Sequence, residues 1–225
     1  MTKTGHFSRQ LFQFLKALRR NNNREWFQEN KVLYESSVRD PLLRFIAELS
    51  PGLLGISRHL LADSRPSGGS MFRIYRDVRF SNDKSPYKTH AAAQFRHRRA
   101  SRDVHAPGFY LHLEPGQCFG GAGLWRPDSQ TLLRVRTAIA SQSAEWRAVR
   151  RAGLELEGES LTRPPKGFDP SHPFIEDLRR KDFIAGVSFT EHQVCASNFL
   201  SHYLDACHRM SPLMKFLTQA VDLPW

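Results

Sequence analysis

The sequence lacks what would suit it to an oxidising compartment or a membrane. It has three cysteines, Cys118, Cys195 and Cys207, an odd number with no Cys-x-x-Cys pair. That argues against a disulfide framework or a zinc ribbon, and a reducing cytoplasm is expected. No apolar run approaches the length of a membrane span, and the opening MTKTGHFSRQ has no apolar stretch of the signal-peptide kind. No membrane partner is expected. There is no Gly-x-Ser-x-Gly, no HExxH, no phosphate-binding Gly-x-x-x-x-Gly-Lys and no dinucleotide fingerprint, so no motif selects a cofactor or a nucleophile. Internal repeats and low-complexity segments are absent as well. Acidic residues are scarce beside basic ones, 22 against 33, for a net charge of +11. That balance favours acidic partners: nucleic acid, phosphate-bearing small molecules or an anionic membrane surface. Most of the cations are Arg, and an Arg-rich composition produces the same balance without any such partner. Nothing in the composition selects an oligomeric state.

What is present is a globular chain. Its 225 residues, 40% hydrophobic and with 16 Phe, suffice for one domain with a sizeable core. The stretch that stands out is MFRIYRDVRFSNDKSPYKTH, residues 71–90. At period two, Phe72, Ile74, Val78 and Phe80 fall on one side, interrupted by Arg76. Met71, Arg73, Tyr75, Asp77 and Arg79 fall on the other, which predicts a half-buried strand over 71–80. Turn-forming residues 81–86 follow, then Tyr87, Lys88 and His90. Arg73, Arg76, Arg79, Lys84 and Lys88 concentrate positive charge, with Asp77 and Asp83 to orient it. Guanidinium forks and ammonium groups suit phosphate or carboxylate. The same residues read equally well as a salt-bridge network tying strand to loop.

Around this stretch the pattern is helices, then strands, then helices. Residues 7–20 form an amphipathic helix with Ser8 as N-cap, and Asn23 caps a second helix. Asp40 and Pro41 open a third, which Pro51 and Gly52 end. Ala91 to Phe95 predicts a strand, and the basic run 96–102 follows as a hairpin tip. In 109–114, Phe109, Leu111 and Leu113 alternate with Tyr110, His112 and Glu114. Pro115 and Gly116 turn the chain into a glycine-rich strand over 118–125. Asp128 caps a helix to about Ala140, and 183–189 predicts a further strand. Thr190 and Glu191 start a helix, and Ser211 and Pro212 start a last one. The fold class expected is α+β, a mostly antiparallel meander sheet over about 71–126. N-terminal helices (about 7–50) and C-terminal helices (about 128–225) flank it in a single domain.

The segments FRIYRDVRFSNDKSPYKTH, PGFYLHLEPG, GGAGLW and PPKGFD, with NNNREWFQENKVLY earlier, resemble the family of unknown function DUF2461. The likeness runs over roughly residues 7–183. It departs at Phe168, where the family commonly has Tyr. The resemblance implies one domain of that family and no activity.

The expected site joins two polar strand faces. The proposed anion ligands are Arg73, Arg76, Asp77, Arg79, Lys84, Tyr87, Lys88 and Tyr110, with His112 or Glu114 as general base. His90, His112 and Glu114 are of metal-ligand type, but no recognised metal spacing supports them and no metal is expected. Three functions stay open: an anion-binding domain or an enzyme on such a substrate, a nucleic-acid binder using the basic run, and a scaffold for a protein partner.

Overall fold

The computed structural model describes residues 5–79, 81–100, 103 and 105–225. Phe80 of the expected strand, and Ser101 and Arg102 of the basic run, lie outside them. The chain is α+β. Helix α1 (Arg9–Arg20) is capped by the Ser8 hydroxyl, which accepts from Gln10 N, and it buries Leu11, Phe14, Leu15 and Leu18. Asn23 caps α2 (Arg24–Glu29) by accepting from Trp26 N. Helix α3 (Lys31–Tyr34) runs through a π turn (Glu35–Arg39) straight into α4 (Asp40–Ile56).

Two expected helix boundaries are corrected here. Asp40 begins α4 but does not cap a free helix start, because the chain is already helical there and its own N–H bonds back to Glu35 O across the π turn. The wider turn lets the chain enter Pro41 without a break. Pro51 does not end α4 either. The helix continues to bury Leu53, and Gly52 admits Leu204, whose side chain would meet a Cβ there at 2.5 Å.

Strand β1 (Leu60–Leu61) is short. Strands β2 (Ala91–His97), β3 (Gly108–Glu114) and β4 (Gln117–Leu124) follow the sequence reading closely. Between β4 and β5 (Phe183–Phe189) lie α5 (Ser129–Ser141), capped by Asp128, then α6 (Ser143–Arg151) and α7 (Ile175–Leu178). The chain closes with α8 (Glu191–Cys195) and α9 (Phe199–Ala220). The five strands lie in sequence order, every pair antiparallel.

Pro212 sits inside α9 instead of starting a helix. Its missing N–H would orphan the His208 carbonyl, and the Ser211 hydroxyl donates to that oxygen at 2.8 Å. The buried stripe of Tyr203, Cys207, Met210, Met214 and Leu217 carries the helix across the proline. That stripe packs on one face of the sheet, where Phe109, Leu111 and Leu113 are fully buried. Each such side chain contributes roughly 1.5–3 kcal/mol. Gly120 faces α9, and a Cβ there would lie 3.1 Å from the Tyr203 ring, so close helix packing requires the glycine. Among the described residues no helix is long and apolar enough to cross a membrane.

The stretch 71–79 is not a strand. It touches β2 through one bridge, Met71 to Ala93, and Phe72 N donates to Ala92 O at 2.9 Å. Beyond that it folds on its own continuation: Arg76 N donates to Pro86 O (2.9 Å) and Lys88 N to Ile74 O (2.7 Å). Ile74 and Tyr87 are the buried anchors of this ribbon. Its charged residues are satisfied by near neighbours, and the alternation therefore never builds a sheet ladder.

Candidate functional site

The face of the sheet away from α9 carries the polar residues. Register places Ala92, His112 and Phe119 in one row across β2, β3 and β4, and Gln94, Tyr110 and Gly121 in the next. His90 precedes β2 and shares the face of Ala92 by period two. Its ring lies 4.5 Å from that of His112. The ribbon 71–90 overhangs this face, with Phe72 against Tyr110 at 6.1 Å.

Tyr110, His112 and Glu114 form a connected row along β3. The Tyr110 hydroxyl is 3.0 Å from His112 Nδ1, and His112 Nε2 is 3.2 Å from Glu114 Oε2. The other oxygen, Glu114 Oε1, accepts from Arg19 (2.6 Å) and from the Thr89 hydroxyl (3.1 Å). Burial works to raise the Glu114 pKa, but hydrogen bonds from His112, Thr89 and Arg19 outweigh it, and the carboxyl lies below its ordinary value. Burial pushes the Tyr110 phenol up to about 12, with Glu114 adding to the effect. Burial, with His112 alongside, takes His90 down to about 4. At neutral pH the ring of His90 is therefore uncharged.

A cleft of about 380 Å³ opens beside this row, lined by Arg76, Asp77, Lys88, Thr89 and His90. The predicted residues divide around it. Arg76 and Lys88 reach it, and so does Asp77, its sequence neighbour, which a strand would have turned to the opposite face. Arg76 is also paired with Asp83. Asp77 is held by Arg79 at 2.7 and 3.0 Å, and that hydrogen bonding brings its pKa to about 2. Asp83 is likewise held at about 2, first by Ser85 and then by Arg76. Lys84 turns away to donate to Val78 O at 3.0 Å. Arg73 is exposed, and its carbonyl accepts from Lys88 Nζ at 2.8 Å.

Tyr87 is drawn into the core, stacked on Phe27 at 4.1 Å, and does not line the cleft. The salt-bridge reading thus holds for Arg76 and Arg79, while Lys88 stands apart. No carboxylate among the described residues pairs with it, its ammonium lies 5.5 Å over the Phe72 ring, and burial lowers its pKa. A second hollow of about 350 Å³ lies between α1 and α8, where Lys16 and Glu191 already neutralise each other at 3.4 Å.

Sequence reasoning missed Arg19, Asn22 and Thr89. Arg19 reads only as a cation in the last turn of α1. Asn22 reads as a corner residue, yet its side chain donates to Tyr87 O (2.9 Å) and accepts from Tyr87 N (3.1 Å), pinning the ribbon to the helices. Thr89 adjoins two named residues and has no pattern of its own. Comparison with curated proteins and with solved structures gives no match. The family model described as a conserved hypothetical protein, DUF2461, matches residues 10–216, and the chain belongs to that family.

Proposed function

We propose that the cleft between the 71–90 ribbon and the sheet binds a small molecule bearing phosphate or carboxylate. The observation that carries this reading is Lys88. A half-buried ammonium without a carboxylate partner is costly, and an anion in the adjoining cleft offsets that cost. Arg76 lies on the same wall and offers a planar fork for a second oxygen. His112 is engaged through both ring nitrogens, by Tyr110 and by Glu114, so the imidazole that a ligand in the cleft meets is His90.

The test is thermal denaturation with pyrophosphate or citrate at low salt. Wild type is expected to gain stability with either anion, and Lys88→Gln to lose that gain. Arg98→Gln, which removes an equal charge from an exposed position, is expected to keep it. An equal gain in Lys88→Gln would overturn the reading. Loss of the gain in Arg98→Gln alone would move the anion to the basic run.

A further inference from the structure

We propose that His90, His112 and Glu114 form a binding site for one divalent first-row transition-metal ion, at the inner end of the cleft. Each of the three offers one ligand atom, and these atoms lie within 4.8 Å of one another. Two imidazoles and one carboxylate suit zinc, iron(II) or cobalt(II) far better than magnesium or calcium, which prefer all-oxygen shells. His112 and Glu114 lie on β3 and His90 stands one residue before β2, so the register that pairs Ala91 with Leu113 and Ala92 with His112 sets their separation.

Four details of the geometry point the same way. Glu114 Oε1 is taken by Arg19 and Thr89, which fixes the carboxylate and leaves Oε2 turned toward His112. The 3.2 Å between Oε2 and His112 Nε2 fits two ligands on one ion, since bonds of about 2.0–2.2 Å at tetrahedral or right angles place ligand atoms roughly 3.0–3.5 Å apart. The Tyr110 oxygen can accept a hydrogen bond from His112 Nδ1–H, which leaves Nε2 as the lone-pair donor, as outer-shell partners of metal-bound histidines do. The His90 ring makes no hydrogen bond among the described residues although it is partly buried, and it lines the cleft. A modest ring rotation brings it onto the same ion.

Three protein ligands leave at least one position open toward the cleft, where Arg76 and Lys88 stand. The opposing effect is charge: Arg19, Arg76 and Lys88 all repel a cation. Arg76 is neutralised by Asp83, but the single charge of Glu114 is shared between Arg19 and the ion, so Arg19 and Lys88 are the opponents. The competing arrangement is a metal-free relay in which Tyr110 donates to Nδ1 and Nε2–H donates to Glu114. The two differ in what His90 does, because the relay does not use it.

The metal site stands whether or not the cleft takes an anion, and its test contains none. Full-length protein without a polyhistidine tag, stripped with chelator, is titrated with Co²⁺ in a non-coordinating buffer. Visible absorbance reports the coordination, and Zn²⁺ binding is measured by calorimetry. Wild type is expected to bind one equivalent, with His90→Gln and Glu114→Gln each weaker by at least about tenfold, in line with the sensitivity of such sites to loss of even a supporting residue. His90→Gln alters no hydrogen bond among the described residues and is expected to unfold at the wild-type temperature without metal, which keeps a binding loss separable from a folding defect. Absence of stoichiometric binding by wild type, or equal binding by His90→Gln, would overturn the proposal. The second result would leave the Tyr110–His112–Glu114 relay.

Discussion

Asn22→Ala tests how the site is held to the helices. The side-chain amide forms a two-way bridge with the backbone of Tyr87, donating to its carbonyl at 2.9 Å and accepting from its N–H at 3.1 Å. Tyr87 is bridged to Tyr75 on one side, and the amide stands in for a strand partner on the other. Alanine removes both bonds and leaves two backbone groups facing protein, since Tyr87 is only 2% exposed. A net hydrogen bond is worth about 1 kcal/mol, and a buried group left unmade costs about 1–3 kcal/mol. Some water will reach the vacated space, so the expected loss is about 3 kcal/mol. In a chain of this size that lowers the melting temperature by roughly 6–12 °C. The assay is urea unfolding of wild type, Asn22→Ala and Asn22→Asp. Aspartate keeps the acceptor for Tyr87 N but sets a carboxylate against Tyr87 O, so it should be no better than alanine. Amide exchange should rise first at Arg76 and Lys88, whose N–H groups close the ribbon. A loss below about 0.5 kcal/mol, with exchange at those amides unchanged, would refute the claim that Asn22 secures the ribbon.

Two further outcomes are expected. Asp177→Ala should cost about 3–4 kcal/mol in urea unfolding. It strands the buried Trp146 indole N–H, now 2.8 Å from Asp177 Oδ2, and the Arg180 guanidinium at 3.3 Å. Adding Trp146→Phe should raise that cost by less than Trp146→Phe costs alone. Stability should also fall as pH drops below about 6.5, the ordinary histidine value, through His97. Burial is the main cause that lowers its folded pKa; the Pro224 carbonyl works against it, and His59, Arg99 and Arg98 add smaller opposition to the charged ring. The unfolded chain therefore takes up the proton first and is favoured at lower pH. Urea midpoints from pH 7.5 to 5 check this, and His97→Gln should reduce the dependence, leaving the part that the depressed His90 contributes.

Much of the architecture was legible because local chemistry and tertiary packing agreed. Ser8, Asn23 and Asp128 read as caps and are caps, each accepting from a backbone N–H in its first turn. The alternation of Tyr110, His112 and Glu114 with Phe109, Leu111 and Leu113 needed only period two, and Pro115 with Gly116 marked the turn into β4. The misreadings at Pro51 and Pro212 share one cause: local breakers lost to long-range burial. Pro51 and Pro212 were outweighed by stripes of leucine and methionine that no local rule weighs against a missing N–H. In the ribbon the reverse happened. Its alternation was strand-like, but pairing with β2 stops at Phe72, and the remaining polar groups found partners within a few residues.

The site follows the same division. Its row along β3 could be read from one strand, because neighbours at i and i+2 share a face whatever the rest of the chain does. Its closure could not, because the groups that complete it come from far away in sequence: Arg19 lies 95 residues from Glu114, and Asn22 lies 65 from Tyr87. His90 falls between these cases. It stands one residue before β2, so the register that pairs Ala91 with Leu113 brings its side chain beside His112 and Glu114. A shift of one residue in that pairing would turn His112 toward α9 and bury Leu111 and Leu113 against the ribbon instead. The burial of those leucines therefore fixes the meeting of His90, His112 and Glu114, and the hydrophobic face of the sheet determines the chemistry of the other.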